Sequence, residues 1–206
     1  MANHNLLVCG GMPRAATTFC HDELSKFTNV RKSRIKESHL FDRKRAFIAY
    51  KLKHLSKTKL NLDFTPTYMF NDRALGNIDH FNIPVFFIFR DFNEWQESLF
   101  KYASINSIAL GDWHKFSIKM LGELEAKLRT KYLCFDFNEV INDRQAFYKS
   151  LENSFQIDLG IQINSDKSHF KKNSSATRNH VLRSYLVTKP VAPITARFQS
   201  LLMGII

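Results

Sequence analysis

A strand, a tight loop and the head of a helix are written into residues 6–26, LLVCGGMPRAATTFCHDELSK, and no other stretch constrains the chain as much. Leu6, Leu7, Val8 and Cys9 form an apolar, partly β-branched run that predicts a buried strand. Gly10 and Gly11 are expected to stop it, and Thr17 or Thr18 to open an amphipathic helix. Amides at a helix start have no intrahelical acceptors, so they face whatever sits above the loop, and phosphate or sulfate suits that place. Arg14 adds a permanent cation, and the hydroxyls of Thr17 and Thr18 add donors. An ordinary first βα turn without a ligand is the competing reading of this stretch taken alone.

The loop is not that of a nucleotide triphosphatase. Matching GxxxxGK with Gly11 as the first glycine puts Ala16 at the second glycine and Thr17 at the lysine, so the pattern fails at its most important residue.

The chain of 206 residues is the right size for one domain with a substantial core. Nothing at its start reads as a leader, and no apolar run approaches the roughly 18 to 20 residues of a membrane span, so a cytoplasmic protein is expected. Three scattered cysteines without a CxxC indicate neither a zinc site nor a disulfide framework. A net charge of +11 suits an anionic partner: nucleic acid, an acidic membrane, a polyanionic glycan or a charged nucleotide. Lysine and arginine are spread along the chain without an RNA-binding or helix-turn-helix signature, so nucleic acid is not indicated.

Further along, residues 30–41 mix basic and isolated apolar residues and predict an extended crossing segment carrying Glu37 between Lys36 and His39. A surface glutamate paired with Lys36 or Arg34 is the plain reading there. Residues 43–57 predict a helix with Phe47, Ile48, Tyr50, Leu52 and Leu55 on its apolar side and a basic outer face, either solvated or turned toward an acceptor or a membrane. Residues 60–63 predict a short strand before a turn set by Pro66. Val85 to Phe89 is continuously apolar, as a parallel strand buried on both faces is, and Arg90 and Asp91 follow at its carboxyl end, where open α/β sheets bind ligands. A helix carrying Ser98 comes next, then a loop over residues 105–114, a helix over 115–129 and a buried strand at Tyr132 to Phe135. The lysine- and serine-rich residues 165–178 predict a loop, and residues 181–202 one or two helices broken by Pro190 and Pro193.

Taken together, these segments resemble the sulfotransferase family. Pro13, Arg14, Ala15, Ala16, Thr17 and Thr18 are similar to its phosphosulfate loop, PKxGTT or PRxGTT, with Ala16 at the usual glycine. Ala16 is therefore expected to take a conformation a Cβ tolerates. KESHLFD resembles the KEPHFFD-like segment of carbohydrate sulfotransferases, DFTPTY resembles the family's DxSPTY or EKTPxY segment with Phe64 in place of a frequent lysine, and Arg90 with Ser98 matches the spacing of RDPxxRxxSxY. Phe92, Glu94 and Trp95 depart from that last pattern.

The resemblance, closest to carbohydrate and bacterial sulfotransferases, implies a single α/β domain over residues 1–206, three-layered, with a central parallel sheet flanked by helices. It implies 3'-phosphoadenosine-5'-phosphosulfate (PAPS) as donor, no metal, and a hydroxyl or amine acceptor, a glycan among the candidates. Glu37 would be the catalytic base with His39 as the alternative, and Arg14 would neutralise charge on the transferring group. The loop residues would hold the nucleotide together with Arg90, Ser98 and, in a late basic loop, Lys171, Lys172, Asn173 and Arg178. A P-loop-type nucleotide kinase and a noncatalytic anion-binding module are the alternatives.

Overall fold

Unbroken burial makes Leu6–Gly11 the inner strand β1. It pairs in parallel with β2 (Asn61–Phe64) on one side and β3 (Val85–Phe89) on the other, and β3 pairs in parallel with β4 (Tyr132–Asp136). The sheet order is β2-β1-β3-β4. The helices are α1 (Thr17–Leu24), α2 (Arg45–Lys53), a 3₁₀ turn (Pro66–Phe70), α3 (Asp72–His80), α4 (Phe92–Asn106), α5 (Phe137–Asn142) and α6 (Arg144–Phe155). This computed structural model describes residues 5–32, 35–106, 124 and 127–162. They fall into two compact units, one drawn from Met1–Asp91 and Met120–Ser168 and the other from Phe92–Lys119 and His169–Ile206. The sheet and every helix named above except α4 belong to the first, so the expected α/β architecture with a central parallel sheet is present there.

Strand register explains why a small thiol sits in the middle of the sheet. Cys9 pairs with Phe64 on one neighbour and with Phe86 on the other, so the two rings flank it on one face and meet edge to face at 5.6 Å between centroids. Phe135 of β4 and Phe147 of α6 extend the cluster, each in edge contact with Phe86, and His21 of α1 closes it against Phe64 at 5.4 Å. A larger side chain at position 9 would force the rings apart. Truncating Phe86 to alanine should cost about 3–5 kcal/mol.

Helix starts are set by side chains where sequence chemistry allows it. Asn71 accepts from Arg73 N and Ala74 N at the head of α3, Asp136 from Asn138 N at α5, and Asp143 from Ala146 N at α6. Each satisfies amides that the helix itself leaves without acceptors.

Three expectations change. β1 does end at Gly11, but Gly10 and Gly11 are its last two residues and not a break after Cys9; a Cβ at Gly10 would press on the Phe87 ring, and one at Gly11 would strike Met69 and stand 3.0 Å from the Pro66 carbonyl. The α2 helix buries only Ile48 and Leu52, while Phe47 and Tyr50 face outward. The strand at Tyr132 is only half buried and Cys134 is exposed, since β4 ends the sheet order and presents one face less to the core. In addition α4 runs through Ile105 and Asn106, which were expected to begin a loop. The rest of that loop, most of the helix expected over 115–129 and everything beyond residue 162 lie outside the described residues, although Leu124 and Leu128 are buried as their spacing predicts.

Candidate active site

At the carboxyl ends of β1, β2 and β3 the first loop, Lys36 with Glu37, and Arg90 come together. Leaving β1, Met12 N donates to Ile88 O at 2.9 Å, which holds the chain against β3, and Ala15 N returns to Met12 O at 3.2 Å. Arg14 and Ala16 both take left-handed conformations, at φ 66° and 57°. Ala16 thus does not adopt the Cβ-tolerant backbone expected of it; the turn into α1 demands the conformation glycine takes freely, at a cost to alanine of about 1–2 kcal/mol. Ala16 at the N-cap offers no side-chain acceptor to α1, so the first amides of the helix can face an anionic group at the loop. Pro13, Arg14 and Ala16 are half-buried, Ala15 is buried, Thr17 is buried and Thr18 is exposed.

Lys36 reaches this helix head from the segment that follows α1. Its Nζ lies 3.2 Å from Thr17 Oγ1 and 3.2 Å from Glu37 Oε1. Its carbonyl accepts from Phe64 N at 3.0 Å, which fixes the backbone beside β2. Phe64 itself is fully buried in the ring cluster, so the position where the resemblance places a lysine gives the site no polar group. Lys36, whose carbonyl is bonded to Phe64 N, carries an ammonium group to the head of α1 from the neighbouring backbone. Sequence reading saw Lys36 only as a partner for Glu37, because nothing local reveals that it also meets Thr17.

Glu37 and His39 are brought together. His39 Nε2 stands 3.9 Å from Glu37 Oε2, and its Nδ1 is 2.8 Å from Asp42 Oδ2. The backbone at His39 is left-handed, φ 51°, and its amide donates to Thr65 Oγ1. Burial of the ring, the largest single influence, lowers the imidazole pKa, but the Asp42 hydrogen bond and the charges of Asp42, Glu37 and Asp63 outweigh it and hold the group above its ordinary value. Asp42 is buried and accepts a second bond from Asn71 Nδ2 at 2.7 Å. With Asp42 on Nδ1, the imidazole is held with Nε2 directed at Glu37.

Beneath this pair lies Asp63 at the centre of a hydroxyl network. Its carboxylate accepts from Ser38 Oγ, Thr65 Oγ1 and Tyr68 OH, each at 2.7 Å, and from Ser38 N at 3.3 Å. Burial raises its pKa, and these bonds oppose the rise. Tyr68 OH also accepts from Phe41 N at 3.1 Å. Asp63 therefore ties residues 38–41 to the turn after β2, with Glu37 and His39 held at one end of the tie. Asp42 and Asp63 were missed as site residues: the first stands three positions after His39 in KESHLFD, a visible signal, while the second reads only as a strand end.

Arg90 extends from the end of β3 toward the first loop, with Nη1 3.5 Å from the Arg14 carbonyl and its guanidinium 4.5 Å from the centre of the Phe137 ring. Ser98 lies in the second turn of α4, in the second unit, and is half-buried. Lys171, Lys172, Asn173 and Arg178 lie outside the described residues. Among the described residues no helix is long and apolar enough to cross a membrane.

No protein-family model matches the chain, and no curated protein matches it. Among solved structures, a sulfotransferase from Alicyclobacillus acidocaldarius is similar over 99% of this chain and 97% of its own, with a TM-score of 0.55 at 12% sequence identity. At that identity the likeness is one of fold: the parallel α/β architecture described above is similar to that of a sulfotransferase.

Proposed function

We propose that the protein transfers a sulfuryl group from PAPS to a hydroxyl or amine acceptor. The observation that supports this reading is the placement of Lys36 between Thr17 at the head of α1 and Glu37, which brings a helix start, an ammonium group and a carboxylate within one span of hydrogen bonds. In this reading the loop amides, Arg14 and Lys36 surround the sulfuryl group, and Arg90 serves the 3'-phosphate.

Transfer proceeds in line. Glu37 takes the acceptor's proton as the acceptor oxygen or nitrogen forms its bond to sulfur, and the bond from sulfur to the bridging oxygen breaks. The electron pair leaves with 3'-phosphoadenosine-5'-phosphate. Charge gathers on the bridging oxygen only as that bond breaks, so the cations at the loop stabilise the transition state more than the bound donor. His39, held by Asp42, fixes the orientation of Glu37. Protein cations do this work, and the reading requires no metal.

Calorimetric titration with 3'-phosphoadenosine-5'-phosphate and with ATP, without metal, tests the proposal on the wild type and on Arg90→Ala. Selective binding of the bisphosphate, weakened by the substitution, is the expected result. Equal or tighter binding of ATP would overturn it in favour of a kinase, and no binding of either would leave only an anion-binding loop.

A further inference from the structure

Between Asp42 and Asp63 the chain carries seven lysines and arginines, Arg43, Lys44, Arg45, Lys51, Lys53, Lys57 and Lys59, and no acidic residue. Helix α2 lies in this stretch and turns Ile48 and Leu52 inward. Its opposite side bears two large rings, Phe47 at 45% exposure and Tyr50 at 56%. Three positions apart on a helix, they share one face. Each is bordered by a basic side chain: Lys51 Nζ lies 5.4 Å from the centre of the Phe47 ring, and the His54 ring stacks on Tyr50 with centroids 4.3 Å apart. Lys44, Arg45, Lys53, Lys57 and Lys59 are exposed as well.

We propose that this face of α2 docks on an anionic lipid bilayer, with Phe47 and Tyr50 entering the headgroup region and the surrounding cations meeting lipid phosphates. Rings with a polar or cationic border are stable at the boundary between headgroups and acyl chains, where one side of the group is wet and the other apolar. Lysine stems can lie along the apolar surface while their ammonium groups stay at the phosphates. The face is the outer side of a helix and not a groove, and Lys51, four positions after Phe47, and Lys53, three after Tyr50, border the two rings, so a flat anionic surface can meet both ammonium groups together with the rings.

The docking face is coupled to the candidate site by Asn77 of α3. Its Nδ2 donates to the carbonyls of Phe41 at 2.8 Å and Arg43 at 3.1 Å, and its Oδ1 accepts from Arg45 Nε at 3.2 Å. The start of α2 is thereby pinned to the segment that carries His39 and Asp42. A bilayer bound at α2 holds that segment at a set height above the lipid. Resting on the sulfotransferase reading, one consequence is an acceptor presented at a membrane surface; the docking itself stands on α2 alone.

The full chain is tested by co-sedimentation with phosphatidylcholine vesicles and with vesicles containing about 30% phosphatidylglycerol, at low and raised salt. Salt-sensitive binding to the anionic vesicles alone is expected. Phe47→Ala with Tyr50→Ala, and separately Lys51→Glu with Lys53→Glu, should each weaken it by about tenfold or more, while thermal unfolding and bisphosphate binding stay unchanged. Undiminished vesicle binding by both double variants would overturn the proposal. So would tighter binding to heparin or to duplex DNA than to the vesicles, lost in the same variants, because the face would then belong to a soluble polyanion. Vesicle binding lost in the variants, in a protein that binds no nucleotide, supports the docking and overturns only the transferase reading.

Discussion

The ammonium of Lys36 lies 3.2 Å from the hydroxyl of Thr17, so a cation carried by an irregular segment stands at the start of α1. Its backbone is held by Phe64, and its side chain is about four-fifths buried. If this cation neutralises the transferring group, Lys36→Ala should lower kcat by about 10²–10³-fold. Lys36→Arg should recover part of the rate. A variant with wild-type turnover would remove Lys36 from the site.

Arg14 and Glu37 act on opposite sides of the proposed transfer and should fail differently. Arg14→Ala should abolish turnover and weaken binding of 3'-phosphoadenosine-5'-phosphate. Glu37→Gln should leave that binding intact while lowering kcat by about 10²–10⁴-fold, the range of a lost general base. Should Glu37→Gln turn over normally and His39→Gln not, the base is His39.

The Asp42 contact makes a pH prediction with a definite sign. His39 holds its proton more tightly in the fold than in the unfolded chain, because its pKa is raised above 6.5. Its stabilisation is therefore full below that unfolded value and is lost as pH rises through the folded one. Asp42→Asn removes the contact that does most to raise the value, leaving the burial that lowers it. The NMR titration of the His39 ring should then move to lower pH, and the fall in stability above pH 6.5 should shrink. An unmoved titration in the variant contradicts the assignment of Asp42.

Ala16 is strained, and glycine should relieve it. Ala16→Gly removes a left-handed alanine worth about 1–2 kcal/mol but adds unfolded-chain freedom worth about 0.4–1 kcal/mol. A net stabilisation of a few tenths to about 1 kcal/mol is expected in urea unfolding. Destabilisation would mean that the alanine methyl makes contacts that outweigh its strain.

Legibility followed the range of the forces involved. β3 could be read because an unbroken apolar run needs only its own residues to declare burial on both faces, and the start of α1 because the strand and loop before it leave few alternatives. The glycines of β1 misled, since their role is set by Phe87, Met69 and Pro66, none of them neighbours in sequence. Phe47 and Tyr50 have core-type spacing, yet α2 is short and buries only Ile48 and Leu52. Within the site, Glu37, His39 and the first loop were visible as patterns. Asp63 was not, because a carboxylate that accepts bonds from Ser38, Thr65 and Tyr68 looks in sequence like any strand-end acid. The second cation point of Lys36 was hidden for the same reason: it depends on a contact across the chain.

No strand in this sheet can zip onto a partner made just before it. β1 is synthesised first, but Leu6 waits for Asn61 and Val8 for Val85, and β3 in turn waits for Tyr132. Loop-closure entropy must be met before any of these ladders repays it, so local helices form early and the sheet forms late. The first loop is made before β2 and β3, yet it gains the bond from Met12 N to Ile88 O only once Ile88 has been made. The loop should thus take its shape only when β1 and β3 have paired, not when its own residues are made.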